Sequence, residues 1–397
     1  MDKILVVGAG KYQISGIQKL QELGYFVIAV DGNQNCEGAA IADLFYAIDI
    51  HNADAIIQTL LNENIQIISA MCFATEIALR TVAAINTYFT LPGLNNHDVS
   101  IATDKSLQRQ ILEKNNLPCP KYKELHIHSD MYNSIIDFGF PCIIKPTDNA
   151  GSRGVFLIHN KYGLEEVIQE CVINVHFDSK IIVEEFIPGI EFTVEAFSID
   201  NEIIILGISE KKKPVNNFTV SIELFYNSPL VETLRYRIEH IVINYLKACN
   251  FSNGITHTEI IYSFHDNNLY VVETTVRSGG FYIFDKIVPF ITDIDIVKHS
   301  ILLQLGKSIM LPEMKRKPCI LGFYYGNKGI VKKINILDEI KLLTNIEYDL
   351  FVKEGDSVNN LDSDGARFGY FISYGDNWEN VYYQARLSEY LIKFEIV

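Results

Sequence analysis

Long apolar runs are missing from this sequence. Nowhere do about 18 consecutive apolar residues occur, and a helix needs about that many to span a bilayer. The segment Met1–Gly10 leads directly into an apolar strand pattern, without the basic region, hydrophobic stretch and cleavage site of a signal peptide. These absences predict a soluble, cytoplasmic protein without a membrane partner.

Positive charge is also scarce. The 397 residues include 34 Lys and Arg against 49 Asp and Glu, which gives a formal net charge of −15. Because nucleic-acid binding depends on basic side chains that neutralise phosphates, we expect no nucleic-acid partner. A single nucleotide is still compatible with this charge, since a divalent cation and a few lysines can neutralise it locally.

The sequence has no pattern typical of disulfide bonds, zinc sites or a catalytic nucleophile. The seven cysteines are scattered, odd in number and free of Cys-x-x-Cys spacing, so neither a disulfide framework nor a zinc site is indicated. No Ser-His-Asp or Cys-His pattern is visible either. We therefore expect that the protein itself supplies no covalent nucleophile.

Length and patterning indicate several domains. A chain of 397 residues with 48% hydrophobic content exceeds the usual size of one core, so two or three domains are expected. Residues 1 to about 95 alternate strand and helix patterns, which is typical of a parallel sheet covered by helices. Gly8-Ala9-Gly10, with Asp31 downstream, partly imitates a dinucleotide fingerprint, but Gln13 replaces the third glycine. A tight strand-to-helix turn is therefore preferred over NAD binding.

Two acidic residues lie on strand patterns. Glu259 and Glu273 belong to the runs 255–262 and 268–274, which the polar turn 265–268 separates. An antiparallel hairpin would place the two carboxylates close together, where they would repel unless a cation lay between them. Oxygen ligands completed by substrate phosphates suit Mg²⁺. The alternative is a surface hairpin with two solvated acids.

A lysine followed by small residues marks another segment. The strand pattern Ile143–Lys145 ends on Lys145, and the loop 150–154 (Ala-Gly-Ser-Arg-Gly) follows. Glycine lets backbone amides approach an anion and lysine adds a compact charge, so the segment predicts a phosphate-binding hairpin. It is not a Walker A loop, because neither Gly-Lys-Ser/Thr nor a helix start follows. The alternative is an ordinary glycine turn between strands.

Taken jointly, these motifs resemble the ATP-grasp carboxylate ligases, a superfamily that includes D-alanine–D-alanine ligase, biotin carboxylase and the L-amino-acid ligases. The resemblance covers roughly residues 1–310 in motif order and the C-terminal part more loosely. It implies an ATP-grasp fold of mixed α/β and α+β class, with ATP and Mg²⁺ (or Mn²⁺) as cofactors. The implied units are an N-terminal parallel-sheet domain at 1–100, an ATP-grasp domain at 101–312 with a hinged lid at about 116–186, and a small α+β unit at 313–397.

The resemblance implies a nucleotide site with phosphate, adenine and ribose parts. The implied ATP-binding residues are, in chain order, Lys105, Lys145, Gly151, Ser152, Arg153, Gly154, Glu184, Glu185, Phe186, Ile187 and Glu191. The two lysines and the 151–154 loop would hold the phosphates. Residues 184–187 would hold adenine, and Glu191 would hold the ribose hydroxyls.

The resemblance assigns the chemistry to a second group of residues. Glu259 and Glu273 match the metal-binding acids, and Arg277, with Lys145, would act on the reacting acyl and phosphoryl groups. Thr275 stands where the family commonly has Asn, two residues after the second acid. A hydroxyl is a poorer cation ligand than a carboxamide oxygen, so a second metal ion would bind more weakly or through water.

These motifs predict a ligase. A substrate carboxylate from an amino acid would attack the γ-phosphate of ATP, and an amine would displace phosphate from the acyl phosphate to give an amide. The partners would be small-molecule carboxylates and amines, and the resemblance allows a homodimer. Two alternatives remain open: bicarbonate as the acid, as in carbamoyl-phosphate synthases and biotin carboxylase, and a nucleotide-binding protein without catalysis. The sequence does not identify the acid or the amine.

Two further features have more than one interpretation. The basic run Lys211–Lys213 fits a solvated strand edge or cations that face the γ-phosphate or a substrate carboxylate. Aromatic residues at 73–76, 218–225 and 281–285 fit an apolar substrate pocket or ordinary core. The unit that follows the segment 312–318, which contains two prolines and three basic residues, has no role that its residues predict.

Overall fold

A computed structural model describes residues 1–149, 151, 153–175, 180–214 and 220–397. Its N-terminal part is a four-stranded parallel sheet in the order β3-β2-β1-β4, made of β1 (Lys3–Val7), β2 (Phe26–Asp31), β3 (Leu44–Ala47) and β4 (Ser69–Met71). Its helices are α1 (Ile14–Glu22), α2 (Ala53–Asn62) and α3 (Leu79–Phe89). The run Ile4–Val7 is fully buried, as expected of a parallel strand covered on both faces. The predicted parallel α/β architecture is confirmed.

The glycine turn after β1 is closed by its own neighbours. Asp31 Oδ2 accepts a hydrogen bond of 2.8 Å from the amide of Ala9. Gln13 is buried, and its Oε1 accepts a hydrogen bond of 2.8 Å from the amide of Phe73. Both polar side chains are used to hold the turn against the sheet, which supports the interpretation as a tight turn.

Two helices lead out of this sheet, α4 (Asn96–Ala102) and α5 (Lys105–Lys114). Asp104 caps α5, and its Oδ1 accepts hydrogen bonds from the amides of Ser106 (2.8 Å) and Leu107 (3.1 Å). Such a cap satisfies free amides of the first turn. The buried face of α5 carries Lys105, Gln108, Arg109 and Leu112, so mostly polar side chains point into the protein from this helix.

The predicted lid region contains a four-stranded antiparallel sheet in the order β5-β8-β6-β7. Its strands are β5 (Tyr122–His126), β6 (Cys142–Pro146), β7 (Phe156–Ile158) and β8 (Lys180–Glu185). The helices α6 (Met131–Phe138) and α7 (Leu164–Ile173) share an apolar core with this sheet. Lys145 therefore lies on β6, and the glycine loop connects β6 to β7.

The central region contains the hairpin that the sequence predicts. Its strands are β9 (Gly189–Ile199), β10 (Glu202–Lys212), β11 (Glu223–Tyr226), β12 (Gly254–Ser263) and β13 (Leu269–Thr275), with helix α8 (Pro229–Ala248) between β11 and β12. Along β9, Phe192, Val194 and Ala196 are buried in one cluster with α8. Because strand side chains alternate, Glu191, Thr193 and Glu195 lie on the opposite face. That face carries the site.

The C-terminal part extends the same sheet. After α9 (Val288–Thr292) and α10 (Ile296–Gln304) come β14 (Cys319–Tyr324), β15 (Gly329–Ile336), β16 (Ile346–Leu350), β17 (Ser357–Val358), β18 (Gly369–Tyr374), α11 (Trp378–Leu391) and β19 (Ile392–Ile396). The eight-stranded sheet has the order β13-β12-β9-β10-β11-β14-β18-β16, and a small sheet has the order β17-β15-β19. The division at residue 312 stays a prediction, and strands from both of its sides share one sheet.

In the described part of the chain, no helix is both long enough and apolar enough to cross a membrane. None of the seven cysteines forms a disulfide bond.

Candidate active site

The two predicted acids face each other on one hairpin. Strands β12 and β13 pair antiparallel, with Glu259 opposite Glu273. The register then shifts, so that Ile260 pairs with Val271 and Val272 is the extra residue of a bulge. A bulge re-aims the side chains beside it. The acid side chains are only 25% and 30% exposed, which contradicts the alternative of a surface hairpin with two solvated acids.

Each acid has a lysine partner. Lys211 Nζ lies 2.6 Å from Glu259 Oε1, and Lys105 Nζ lies 2.9 Å from Glu273 Oε2. Burial alone would raise the pKa of both carboxyls, but the lysines outweigh burial and lower the pKa of each. Both acids are therefore anionic at neutral pH, although they are neighbours that repel each other.

Two cavities meet at the acid pair. The first, which we call the hinge cavity, is about 290 Å³ in volume, and its lining includes Lys105, Lys145, Glu184, Glu185, Phe186, Ile187 and Glu191. The second, which we call the aromatic cavity, is about 490 Å³ in volume, and its lining includes Tyr12, Lys211, His257, Arg277, Phe281, Phe323 and Arg367. Glu259, Glu273 and Gly151 line both cavities. The acids therefore stand at the border between the two spaces.

A buried ion triad forms one wall of the hinge cavity. Arg109 Nε lies 2.7 Å from Glu184 Oε1, and Lys145 Nζ lies 2.7 Å from Glu184 Oε2. Burial alone would raise the pKa of Glu184, but the two cations hold it at about 2. Burial lowers the pKa of Lys145, and Glu184 opposes that effect. Arg109 Nη2 also donates to the carbonyl of bulged Val272 (2.6 Å), so the triad ties the lid strands to the acid hairpin.

The predicted phosphate loop starts next to Lys105, and its residue Gly151 lines both cavities. Lys105 Nζ donates a hydrogen bond of 2.6 Å to the carbonyl of Asn149, at the start of the loop. Gly151 (φ +66°) and Gly154 (φ +74°) adopt left-handed backbone conformations, which glycine adopts without strain. The exposed Arg153 lines the aromatic cavity. Ser152 lies outside the described residues, and the roles of the loop residues stay predictions.

The predicted adenine and ribose residues follow β8. Glu185 is exposed, whereas Ile187 is buried, and both line the hinge cavity together with Phe186. Glu191, the predicted ribose ligand, forms an ion pair with Lys213. These positions are compatible with a bound nucleotide, and their roles stay predictions.

The three lysines of the basic run 211–213, at the end of β10, point alternately to two sides of the strand. Lys211 and Lys213 point toward the site acids Glu259 and Glu191. Lys212 pairs instead with Glu210 and lies 5.2 Å from the ring centroid of Phe225. The solvated-edge interpretation is therefore wrong for Lys211, whose side chain is only 12% exposed.

Arg277 lies between the hairpin and the N-terminal part. Its Nη2 lies 3.1 Å from Glu76 Oε2, and its Nη1 donates to the carbonyl of Ser278 at 2.7 Å. Its Nε is buried and has no hydrogen-bond partner among the described residues. The predicted acyl-binding arginine is thus held at the edge of the aromatic cavity with one donor still free.

Glu259, Glu273 and Thr275 fit a divalent cation that a nucleotide helps to hold. Thr275 is 5% exposed, and its Oγ1 makes no hydrogen bond to the described part of the chain. Within the same residues, no cluster of three or more His, Cys, Asp or Glu side chains could hold a metal by itself. Mg²⁺ commonly uses one or two carboxylates, with water and substrate phosphates completing its shell. The residues present therefore suit a cation that binds together with phosphates.

Sequence reasoning missed three residues that support the acids. Arg109 lies four positions after Lys105 on α5, a spacing that places two side chains on one helix face, and this spacing could have indicated it. Gln108 holds β13, because its Nε2 donates to the carbonyl of Thr274 and its Oε1 accepts from the amide of Thr274, both at 2.9 Å. Glu195 is fully buried and pairs with His257. Burial alone would lower the pKa of His257, but Glu195 raises it to about 9.

Comparison with known proteins agrees with this geometry. Residues 138–285 match the protein-family model of the ATP-grasp domain. The chain is 24% identical over 333 residues to the uncharacterized protein y4rH of Sinorhizobium fredii, covering 82% of this chain and 68% of that protein. It is 21% identical to the carbamoyl phosphate synthase large chain of Clostridium acetobutylicum, of which it spans 29%.

Among solved structures, the L-amino acid ligase of Bacillus licheniformis superposes with a TM-score of 0.82 at 20% identity, covering 100% of this chain and 99% of the ligase. At that identity the likeness concerns the fold. Residues 138–285 therefore match an ATP-grasp domain, and the chain as a whole shares the fold of the L-amino acid ligase.

Proposed function

We propose that this protein is an ATP-dependent, ADP-forming ligase that joins a carboxylate, in particular that of an amino acid, to an amine. The observation that carries the proposal is the position of Glu259 and Glu273, opposite each other at the border of two cavities. Phosphoryl transfer requires alignment of two reactants and neutralisation of charge more than covalent help. A pair of anchored acids between two binding spaces meets that requirement.

The hinge cavity suits the nucleotide. Lys105 and Lys145 bring two buried cations to it, and the loop that carries Gly151 and Gly154 can bring backbone amides close to phosphates. The buried triad keeps Lys145 in place, because Glu184 holds it from one side. When ATP binds, the lysines would exchange part of their contact with Glu184 and Glu273 for contact with phosphate oxygens.

The aromatic cavity suits the acid and the amine. A bound divalent cation would neutralise the phosphates that Glu259 and Glu273 face. Arg277, with its Nε free of partners in the described residues, would hold negative charge on the acyl group during attack. The carboxylate would displace ADP from the γ-phosphate, and the amine would then displace phosphate from the acyl phosphate. Closure of the lid would exclude water, which otherwise hydrolyses such an intermediate.

Two observations support an amide-forming reaction over the use of bicarbonate. The aromatic cavity has a volume of about 490 Å³ and aromatic lining, which is more space than a bicarbonate ion needs. The solved structure with a TM-score of 0.82 is named an L-amino acid ligase, whereas the carbamoyl phosphate synthase relative is more than three times as long as the matched segment.

The test is a screen of the purified chain for phosphate release. The protein is mixed with Mg²⁺-ATP and with bicarbonate, single amino acids, or pairs of amino acids and amines, and ADP, phosphate and the product mass are measured. We expect stoichiometric ADP, phosphate and amide only when an acid and an amine are both present. Phosphate release with bicarbonate alone, or no ADP with any pair, would contradict the proposal.

Glu273→Gln and Glu202→Gln form a matched pair of variants. Glu273 lines both cavities, whereas Glu202 on β10 is exposed and lines neither. Glu273→Gln should abolish ADP formation with an unchanged circular-dichroism spectrum, and Glu202→Gln should retain turnover. Normal ADP formation by Glu273→Gln is incompatible with the assigned role of this acid.

A further inference from the structure

Arg367 is a buried cation of the aromatic cavity that the proposed reaction does not use. It belongs to the C-terminal part, two residues before the start of β18, and it is only 4% exposed. The residue lines the cavity together with Asp364 of the same loop. A guanidinium in this position carries a cost of burial, and the cavity wall must compensate for that cost.

The hydrogen bonds of Arg367 are incomplete. Its Nη2 donates to the carbonyl of Ser221 at 2.9 Å and lies 2.7 Å from Asp364 Oδ1. Its Nε is buried and finds no hydrogen-bond acceptor within the described residues. A guanidinium has five N–H donors in a planar fork that matches a carboxylate, so this side chain has capacity for a further anionic partner.

The aromatic wall fixes the plane of this guanidinium. Arg367 Cζ lies 3.6 Å from the ring centroid of Phe323 and 4.5 Å from that of Phe281. Phe281 in turn lies 5.3 Å from Tyr12, between ring centroids. A cation held over aromatic faces loses little entropy when it binds a ligand. The three aromatic rings also offer an apolar surface next to the charge.

Other cations of the cavity are better neutralised than Arg367. Lys211, His257 and Arg277 contact Glu259, Glu195 and Glu76, whose side chains are 25%, 0% and 16% exposed, respectively. The acid partner of Arg367 is Asp364, whose side chain is 59% exposed. Solvent screens the charge of such an exposed partner, so Asp364 neutralises Arg367 less than the buried acids neutralise the other three cations. Arg367 can therefore attract an anion in the cavity more strongly than they can.

We propose that Arg367 binds a substrate carboxylate that does not react and that remains free in the amide product. The proposal rests on the proposed ligase function and restricts the substrates of that reaction. Either the amine substrate is an amino acid, or the acid substrate is a dicarboxylate. A monocarboxylic acid together with an amine that has no carboxylate would not fit. The C-terminal part thereby acquires a role, because it supplies the specificity-determining residue. The reacting carboxylate binds separately, at the acid pair and Arg277.

Turnover experiments separate the two sources of the carboxylate. In the first arm, L-phenylalanine and L-phenylalaninamide are compared as amines; in the second, glutarate and its monoamide are compared as acids. We expect that loss of the free carboxylate in one arm raises KM by about 30-fold or more, as for loss of one partner of a buried charge pair. In Arg367→Gln the same comparison should give less than about a threefold difference, because the selective contact is gone.

A binding experiment keeps the inference testable without turnover. Isothermal titration with the same four probes, in the presence of Mg²⁺ and ADP, should show tighter binding of a carboxylate form than of its amide. That preference should disappear in Arg367→Gln. If the ligase assay fails and this preference persists, the proposed function falls and the carboxylate site stands.

Two further variants control for damage to the fold. Arg235 is also buried, but it pairs with Glu232 and Glu239 on α8, outside both cavities, so Arg235→Gln should leave the preference for the carboxylate form unchanged. Arg367→Lys keeps the charge without the planar fork and should retain part of the preference if Arg367→Gln does not fold. Equal responses to acid and amide forms in both arms of the wild type, or no binding of any probe, would overturn the inference.

Discussion

Replacement of Glu184 by Gln removes the counter-charge of two buried cations. Glu184 is 5% exposed and lies between Arg109 and Lys145. Burial alone would raise its pKa, yet the cations hold the pKa at about 2 against an ordinary value of 4.5. At about 1.4 kcal/mol for each tenfold change in proton affinity, the ionised carboxyl stabilises the fold by roughly 3 kcal/mol.

The pH dependence follows from the sign of this pKa change. Because the folded-state pKa is lowered, the stabilisation is present above the unfolded pKa of 4.5 and is lost as the pH falls toward about 2. Glu184→Gln should lower the free energy of unfolding by about 3–5 kcal/mol at pH 7, since it leaves two buried cations without their partner. At pH 3 the difference from the wild type should shrink by about half.

Urea unfolding at pH 7 and pH 3, followed by far-UV circular dichroism and by fluorescence, measures this difference. Two probes are needed because a chain with several domains can unfold in steps. Glu185→Gln is the matched control: its side chain is exposed, and the change should stay within about 0.5 kcal/mol. A loss below about 1 kcal/mol for Glu184→Gln, or a difference that is the same at both pH values, would refute the role of the triad.

Two other substitutions have their own controls. Gly154→Ala should lower the free energy of unfolding by about 1–3 kcal/mol, because the backbone has φ +74° and the new Cβ would lie 2.8 Å from Asn174 Cβ. Gly151→Ala, with φ +66° and no atom of the described residues within 4 Å of the new Cβ, should lower the free energy of unfolding by only about 1 kcal/mol. Equal losses for the two variants in urea unfolding would contradict the steric argument. Gln108→Leu should lower the free energy of unfolding by about 1–3 kcal/mol, since the amide and carbonyl of Thr274 lose their partners. Its control, the exposed Gln110→Leu, should change it by no more than about 0.5 kcal/mol. Thermal or urea unfolding that does not distinguish Gln108→Leu from Gln110→Leu would show that Gln108 does not hold β13.

The hairpin and its acids could be predicted because their signals are local. A polar turn between two apolar runs specifies an antiparallel pair, and the register places Glu259 opposite Glu273. The same holds for the parallel sheet of the N-terminal part, whose strands are apolar and separated by helical patterns. The start of α5 at Lys105 follows from the capping residue Asp104.

Features that depend on distant parts of the chain could not be predicted. Arg109 and Glu184 are 75 positions apart. The spacing from Lys105 indicates which helix face Arg109 occupies, but nothing near either residue indicates that the two side chains pair. The continuation of the central sheet through β14 and β18 results from pairing of β11 with β14, which composition does not reveal. Arg367 reaches the aromatic cavity only because this pairing brings the C-terminal part against the site.

The central claim is that Glu259 and Glu273 together hold a divalent cation against the phosphates of a nucleotide. Binding of Mn²⁺ in the presence of ADP, measured by the loss of the free-ion electron paramagnetic resonance signal, tests this claim directly. We predict that the wild type and Glu202→Gln, whose side chain is exposed and outside both cavities, bind Mn²⁺ alike. Glu259→Gln and Glu273→Gln should each weaken binding at least about 10-fold, since loss of even an outer-shell partner costs that much. Unchanged Mn²⁺ affinity in both of these variants would contradict the claim.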